Sequence, residues 1–146
     1  MIRLLIICQL SSIIFGQKIF DEFEKGRHNN YHSKETFRFD TVPDDGSYTI
    51  LLESIEGDIK VRTHAGAGAE ITITRKIRAN TEKKAKRLVK DAKILVYHLE
   101  DDQLIQVRSE KKIHYKRNVH TEFELKLPMN INLNLKTAGG DIDVTD

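Results

Sequence analysis

The chain carries one cysteine, no tryptophan and few aromatics of any kind, 7% in all. Cys8 lies inside an apolar N-terminal run, so removal of that run leaves no thiol. Disulfides, thiolate nucleophiles and cysteine-based metal sites are then excluded. An exported protein without disulfides fits a bacterial envelope better than a small animal secreted domain. Without tryptophan, the core must rest on Ile, Leu and Val. An excess of one charge is also missing. The 24 basic and 22 acidic residues leave a formal net charge of +2, too small to imply a nucleic-acid partner. The length of 146 residues bounds the chain to one domain or part of one.

Recognisable reaction chemistry is missing as well. His28 and His32 are four apart, a metal spacing on a helix, but Gly26, Asn29 and Asn30 argue against a helix there. His64, His98, His114 and His120 are scattered over strands and loops. The small-residue run 65–69 lacks the Gly-Lys-Ser/Thr ending of a phosphate loop. Glu100, Asp101 and Asp102 lack the spaced oxygens and glycine of a calcium loop and read as a hairpin tip. No serine sits in a nucleophile turn. The expectation is a chain that is not an enzyme, with no catalytic, cofactor-binding or metal-binding residues and no cofactor.

The N-terminus has Arg3 at its charged start, an apolar run of about eleven residues and a small residue at Gly16, the layout of a secretory signal. It is short for a membrane span of ~20 residues. Ile7, not a small residue, precedes Cys8, which argues against lipidation. Residues 1–16 are expected to be a signal peptide and 17–34 a loose polar leader in which Ile19, Phe20 and Phe23 could dock on the fold. Residues 35–146 form the β-rich domain.

Within that domain, apolar residues recur mostly at every second position, which gives a strand one buried and one wet face. Strands are expected over 35–40, 48–53, 58–63, 70–78, 94–99, 104–108 and 121–127. Pro128 belongs at the edge or end of the last of these, since it cannot donate to a ladder. The period changes once. Ala85, Leu88, Val89 and Ala92 fall on one face of a helix over 80–93, capped by Asn80 or Thr81. Its outer face carries Lys83, Lys84, Lys86, Arg87 and Lys90, a solvated face with no interleaved aromatics to stack bases.

The last stretch organises the rest. Ile131, Leu133 and Leu135 alternate with asparagines, Gly139 and Gly140 break the strand, and Asp141 to Val144 resumes it. Upstream, the strand from Tyr48 runs into Gly57, Asp58, Ile59 and Val61. Setting Gly57 on Gly140 aligns two copies of Gly-Asp-Ile-x-Val, each a strand, a Gly-Asp turn and a strand. Gly57, Asp58, Gly139, Gly140 and Asp141 are therefore singled out as structural turns. Glycine reaches positive φ without a Cβ clash, and aspartate bonds nearby amides.

On these residues, with Pro128 marking a strand entry, the chain resembles a family of bacterial adhesin-like envelope proteins of unknown biochemical role. The resemblance covers roughly residues 35–146. It implies a mainly β scaffold with one amphipathic helix, whose C-terminal part starts a β-solenoid (β-helix-like) stack. In that family the repeats usually continue past the first, so a chain ending at Asp146 is expected to be a fragment; a stop codon there with a folded monomeric product would count against this. The function expected is a non-catalytic exported module, adhesion-type or structural, in the periplasm, outer envelope or cell surface. Its partner would be an unknown envelope or surface ligand. Two alternatives stand: a membrane-proximal sensor of envelope stress, and a polysaccharide-active β-helix enzyme whose site lies beyond residue 146.

Overall fold

Alternation along the chain yields eleven strands and one helix in the computed structural model, which describes residues 14–15, 17–54, 56–110 and 118–146. In order they are β1 (Ile14–Phe15), β2 (Gln17–Lys25), β3 (Asn30–Phe39), β4 (Thr49–Ser54), β5 (Asp58–His64), β6 (Ala69–Arg78), α1 (Glu82–Asp91), β7 (Ile94–Leu99), β8 (Leu104–Ser109), β9 (Val119–Pro128), β10 (Asn132–Thr137) and β11 (Ile142–Thr145). The expected signal peptide lies outside the described residues except for β1. That short strand pairs antiparallel with β7, Ile14 opposite His98 and Phe15 opposite Tyr97.

The strands form two sheets. One has the order β1-β7-β8-β4-β10 and the other β11-β5-β9-β6-β3-β2. Three strand pairs lie side by side across both sheets: β8 with β9, β4 with β5, and β10 with β11. Every contact between neighbouring pairs is parallel. Aliphatic residues fall into columns through these pairs. Ile105, Ile50 and Leu133 align, as do Val107, Leu52 and Leu135 in the same sheet. Phe123, Ile59 and Ile142 align in the other sheet, with Leu125, Val61 and Val144 beside them. The inward residues of the two lower pairs are all but sealed, with Ile50, Leu52, Ile59, Ile105, Val107 and Leu125 at 0% exposure. Burying a side chain of this size contributes roughly 1.5–3 kcal/mol, so the shared core is the main source of stability.

A second, smaller core lies under the helix. Thr81 caps it by accepting a hydrogen bond from the Lys84 amide at 3.2 Å. Ala85 is buried, and Leu88, Val89 and Ala92 pack on Tyr31, Ile77, Ala79 and Val119. The opposite face is exposed, and Lys86 pairs with Glu82 at 2.7 Å.

Residues 17–34 depart from the expected loose leader. They form β2 and the first half of β3, joined through Gly26 and the left-handed residues His28 and Asn29. His28 and His32 are thereby split between a turn and a strand. β2 is the outermost strand of its sheet, so most of its residues are exposed and apolar alternation is weak. What ties it down is short-range: Phe23 stacks on Tyr31 at 5.8 Å, and Lys18 bonds Glu35 at 2.5 Å.

Candidate functional site

The five residues singled out as turns meet at one corner of the molecule. Gly57 has φ of +143° and Gly140 +122°, both in the region that only glycine occupies readily. A Cβ on Gly57 would come within 2.6 Å of the Thr121 carbonyl oxygen. One on Gly140 would collide with the carbonyl of Gly57. The two corners therefore stack glycine upon glycine. The Gly57 amide donates to the Gly139 carbonyl at 2.8 Å and the Ile59 amide to that of Asp141 at 2.9 Å. Gly139 differs. Its backbone is not left-handed, and an added Cβ would meet only the Glu56 side chain at 3.9 Å.

Asp58 joins the corner to the outer face of the larger sheet. Its Oδ1 accepts the Asp141 amide at 3.0 Å, while Oδ2 lies 3.2 Å from His120 Nε2. Register sets Asp58 opposite Glu122, and His120 lies two residues earlier on the same face of β9. Among the described residues these three form a group whose ligand atoms lie within 4.8 Å of one another, a nitrogen and two oxygens suited to a divalent cation. The surroundings oppose one. Lys60 and Lys76 stand 3.8 and 3.7 Å from Glu122, so that carboxylate already faces two ammonium groups. The arrangement is a charge-balanced patch on an open sheet. Beside it, Asn30, His32, Lys76, Arg78, Asn118 and His120 line an open groove of about 360 Å³.

Asp141 thus reaches Asp58 through its backbone, and the structure gives no direct bond between the two carboxylates. His120 and Glu122 were not visible as partners of Asp58 from the sequence. Their signal was the His-x-Glu spacing on an alternating strand, but linking it to Asp58 requires the parallel β5–β9 pairing.

Two of the buried polar residues, Arg75 and His98, carry or can take a charge. Arg75 is 1% exposed, lines a groove between β2, β3 and the helix, and donates to Glu35 at 2.8 Å and to the Ala92 carbonyl at 3.2 Å. Burial pushes the Glu35 carboxyl up, but the Lys18 hydrogen bond and the Arg75 charge outweigh it and hold the group below its usual range. His98, 5% exposed, meets the Tyr48 hydroxyl at 3.1 Å. Burial lowers its pKa, which the Glu100 carboxylate only partly offsets. His98 packs against Phe39 and Tyr48 and Arg75 is held by its ion pair, and among the described residues neither lines a cavity shared with the corner. Comparisons of the chain with protein-family models, with curated proteins and with solved structures find no match.

Proposed function

We propose that this chain is a non-catalytic module exported to the bacterial cell envelope, structural or adhesion-type, whose C-terminal strands begin a β-solenoid. One observation carries the reading. The strand–corner–strand unit recurs in register, Gly140 over Gly57, and aliphatic columns run straight through the stack. Parallel rungs of this kind build extended binding surfaces rather than enclosed reaction sites. The resemblance of the same Gly-Asp-Ile-x-Val segments to adhesin-like envelope proteins supports the location, as does the N-terminal apolar run.

The test is to express the chain in a bacterial host, fractionate the cells and weigh the mature protein. Recovery from the periplasm or surface, together with retention of beads coated with purified protein on envelope preparations, agrees with the proposal. Full-length protein confined to the cytoplasm overturns it.

A second reading, a membrane-anchored sensor of envelope stress, is favoured by one feature. Cleavage after Gly16 would remove β1, which is paired with β7. A mature mass that retains residues 1–16 in the membrane fraction would select this reading; a mature protein starting at Gln17 would reject it.

A further inference from the structure

A groove of about 200 Å³ runs between β2, β3, β6 and the C-terminal half of α1. Register builds its floor. Phe23, Ser33 and Arg75 lie directly opposite one another on β2, β3 and β6, which brings neighbouring Cβ atoms to roughly 4.5–5.5 Å on one face of the sheet. The helix packs over that face. Leu88, Val89 and Ala92 meet the cluster around Tyr31 and Ile77, and the Ala92 carbonyl accepts Arg75 Nε.

Two polar groups in this floor have hydrogen-bonding capacity that the protein leaves unused. The Ser33 hydroxyl, in a residue only 4% exposed, has no hydrogen-bond partner among the described residues. Burying a hydroxyl unpaired is costly and uncommon. In the Arg75 guanidinium, Nε and Nη1 donate to Ala92 and Glu35, while Nη2 has no acceptor among the described residues. The carboxylates of the groove are already engaged. Glu35 takes Arg75 and Lys18, Asp21 takes Lys18 at 3.2 Å, and Glu22 shares a hydrogen bond with Glu24. Its two ammonium groups differ, since Lys90 and Lys93 have no carboxylate partner among the described residues.

We propose that this groove binds a small organic carboxylate. Its two oxygens take the Ser33 hydroxyl and Arg75 Nη2, a pair of donors that a planar carboxylate matches. Phe23 and Val89 supply apolar walls for the rest of the molecule, and Lys90 and Lys93 attract the anion from outside. The volume lies below the range of about 300–1,000 Å³ typical of sites for drug-sized ligands, which limits the guest to a few carbon atoms beyond the carboxylate. Charge selects a monoanion. Asp21, Glu22 and Glu35 balance Arg75, Lys90 and Lys93, so a doubly charged phosphate meets three carboxylates with no surplus of positive charge. The site is separate from the Gly57–Gly140 corner and depends neither on export nor on the stacked rungs.

The experiment titrates sodium butyrate into the full chain at constant ionic strength and follows the amide and Arg75 Nε–H signals by NMR. Saturable shifts are expected at Phe23, Ser33, Arg75 and residues 89–93, with a Kd of about 1 mM, ordinary for so few atoms. Butyramide, of the same shape without the charge, should bind at least about tenfold more weakly. Ser33→Ala should weaken butyrate about tenfold, the value of one charge-assisted hydrogen bond. It should leave the urea midpoint of the free protein unchanged or higher, because the hydroxyl it removes has no protein partner. A hydroxyl with a purely structural role would do the reverse. Lys90→Gln with Lys93→Gln, at exposed positions, should weaken butyrate about threefold. Lys83→Gln, on the same helix but outside the groove, should not.

No saturable shift with butyrate, the outcome if solvent alone satisfies Ser33, overturns the site. Equal binding of butyramide overturns it too, as does equal binding by the unmodified chain and both groove variants. Inorganic phosphate bound more tightly than butyrate overturns the carboxylate assignment.

Discussion

The carboxylate of Asp58 accepts the backbone amide of Asp141 at 3.0 Å across a separation of 83 residues. The same offset relates Thr49 to Asn132 and Ile59 to Ile142. The Asp58 side chain thus does for the rung above it what a turn aspartate usually does for its own backbone. This makes the corner the place where substitution should be felt most.

Gly57 and Gly140 should tolerate no side chain. Gly57→Ala and Gly140→Ala each combine a left-handed backbone with a Cβ aimed at a carbonyl oxygen. Each is expected to cost about 2–4 kcal/mol, combining backbone strain with steric overlap. Gly139→Ala has neither problem and should change stability by less than about 1 kcal/mol. Urea denaturation of the three variants checks this; equal effects at Gly139 and Gly140 would count against the stacked corner.

These contrasts show what was legible in the sequence. Alternation located β5 to β9 and the helix, because each of them buries one face and exposes the other. It missed β2, because a strand at a sheet edge with most residues exposed has little apolar period to read. It also gave no pairing order. β8 and β9 are later in the chain than β4 and β5, yet lie beneath them, while β10 and β11 lie above. Only β4–β5 and β10–β11 carry the Gly-Asp-Ile-x-Val match; β8 and β9 pair beneath the first of these without it. The Asp58, His120 and Glu122 patch was hidden for the same reason, since it exists only once β5 is laid against β9.

Removing one partner of the buried pair should expose its cost. Arg75→Ala removes the guanidinium from Glu35, which keeps Lys18 as its remaining cation, and leaves the Ala92 carbonyl without its donor. A loss of about 1–3 kcal/mol is expected. Arg75→Met paired with Glu35→Leu should recover most of it, because well-packed apolar replacements of a buried ion pair are often neutral. Thermal denaturation of the single and double variants distinguishes a pair that stabilises from one that is merely tolerated.

The two buried titratable groups predict how stability responds to acid. The Glu35 pKa is depressed in the fold, so its contribution is present above the unfolded value of 4.5 and is lost as pH falls through the lower folded value. The His98 pKa is also depressed, but for a base this means that the fold prefers the neutral ring. The unfolded chain takes up that proton first, so stability should begin to fall below about pH 6.5. A pH series of urea midpoints should therefore show two declines. Glu35→Gln should reduce the lower one, to which Glu70 and Asp44, also held low, contribute, and His98→Phe should flatten the upper. A His98→Phe variant that keeps the upper decline would assign it to another group.

The outward patch offers the sharpest test of electrostatics, because Asp58, His120 and Glu122 have the ligand types of a cation site and the two flanking lysines oppose it. At neutral pH the carboxylates of Asp58 and Glu122 and the ammonium groups of Lys60 and Lys76 sum to zero, so an arriving Zn²⁺ finds no net attraction. A dication counts twice, so an ammonium group even roughly 8 Å from it should disfavour the ion by about 1 kcal/mol in a solvent-exposed setting. Replacing both, as Lys60→Met with Lys76→Met, should therefore tighten Zn²⁺ binding by roughly 30-fold relative to the unmodified chain. Adding His120→Asn to that pair should abolish the gain, because the nitrogen ligand is gone. Isothermal titration with Zn²⁺ measures all three proteins. Tight binding by the unmodified chain would show that the lysines swing clear and that the patch is a metal site as it stands.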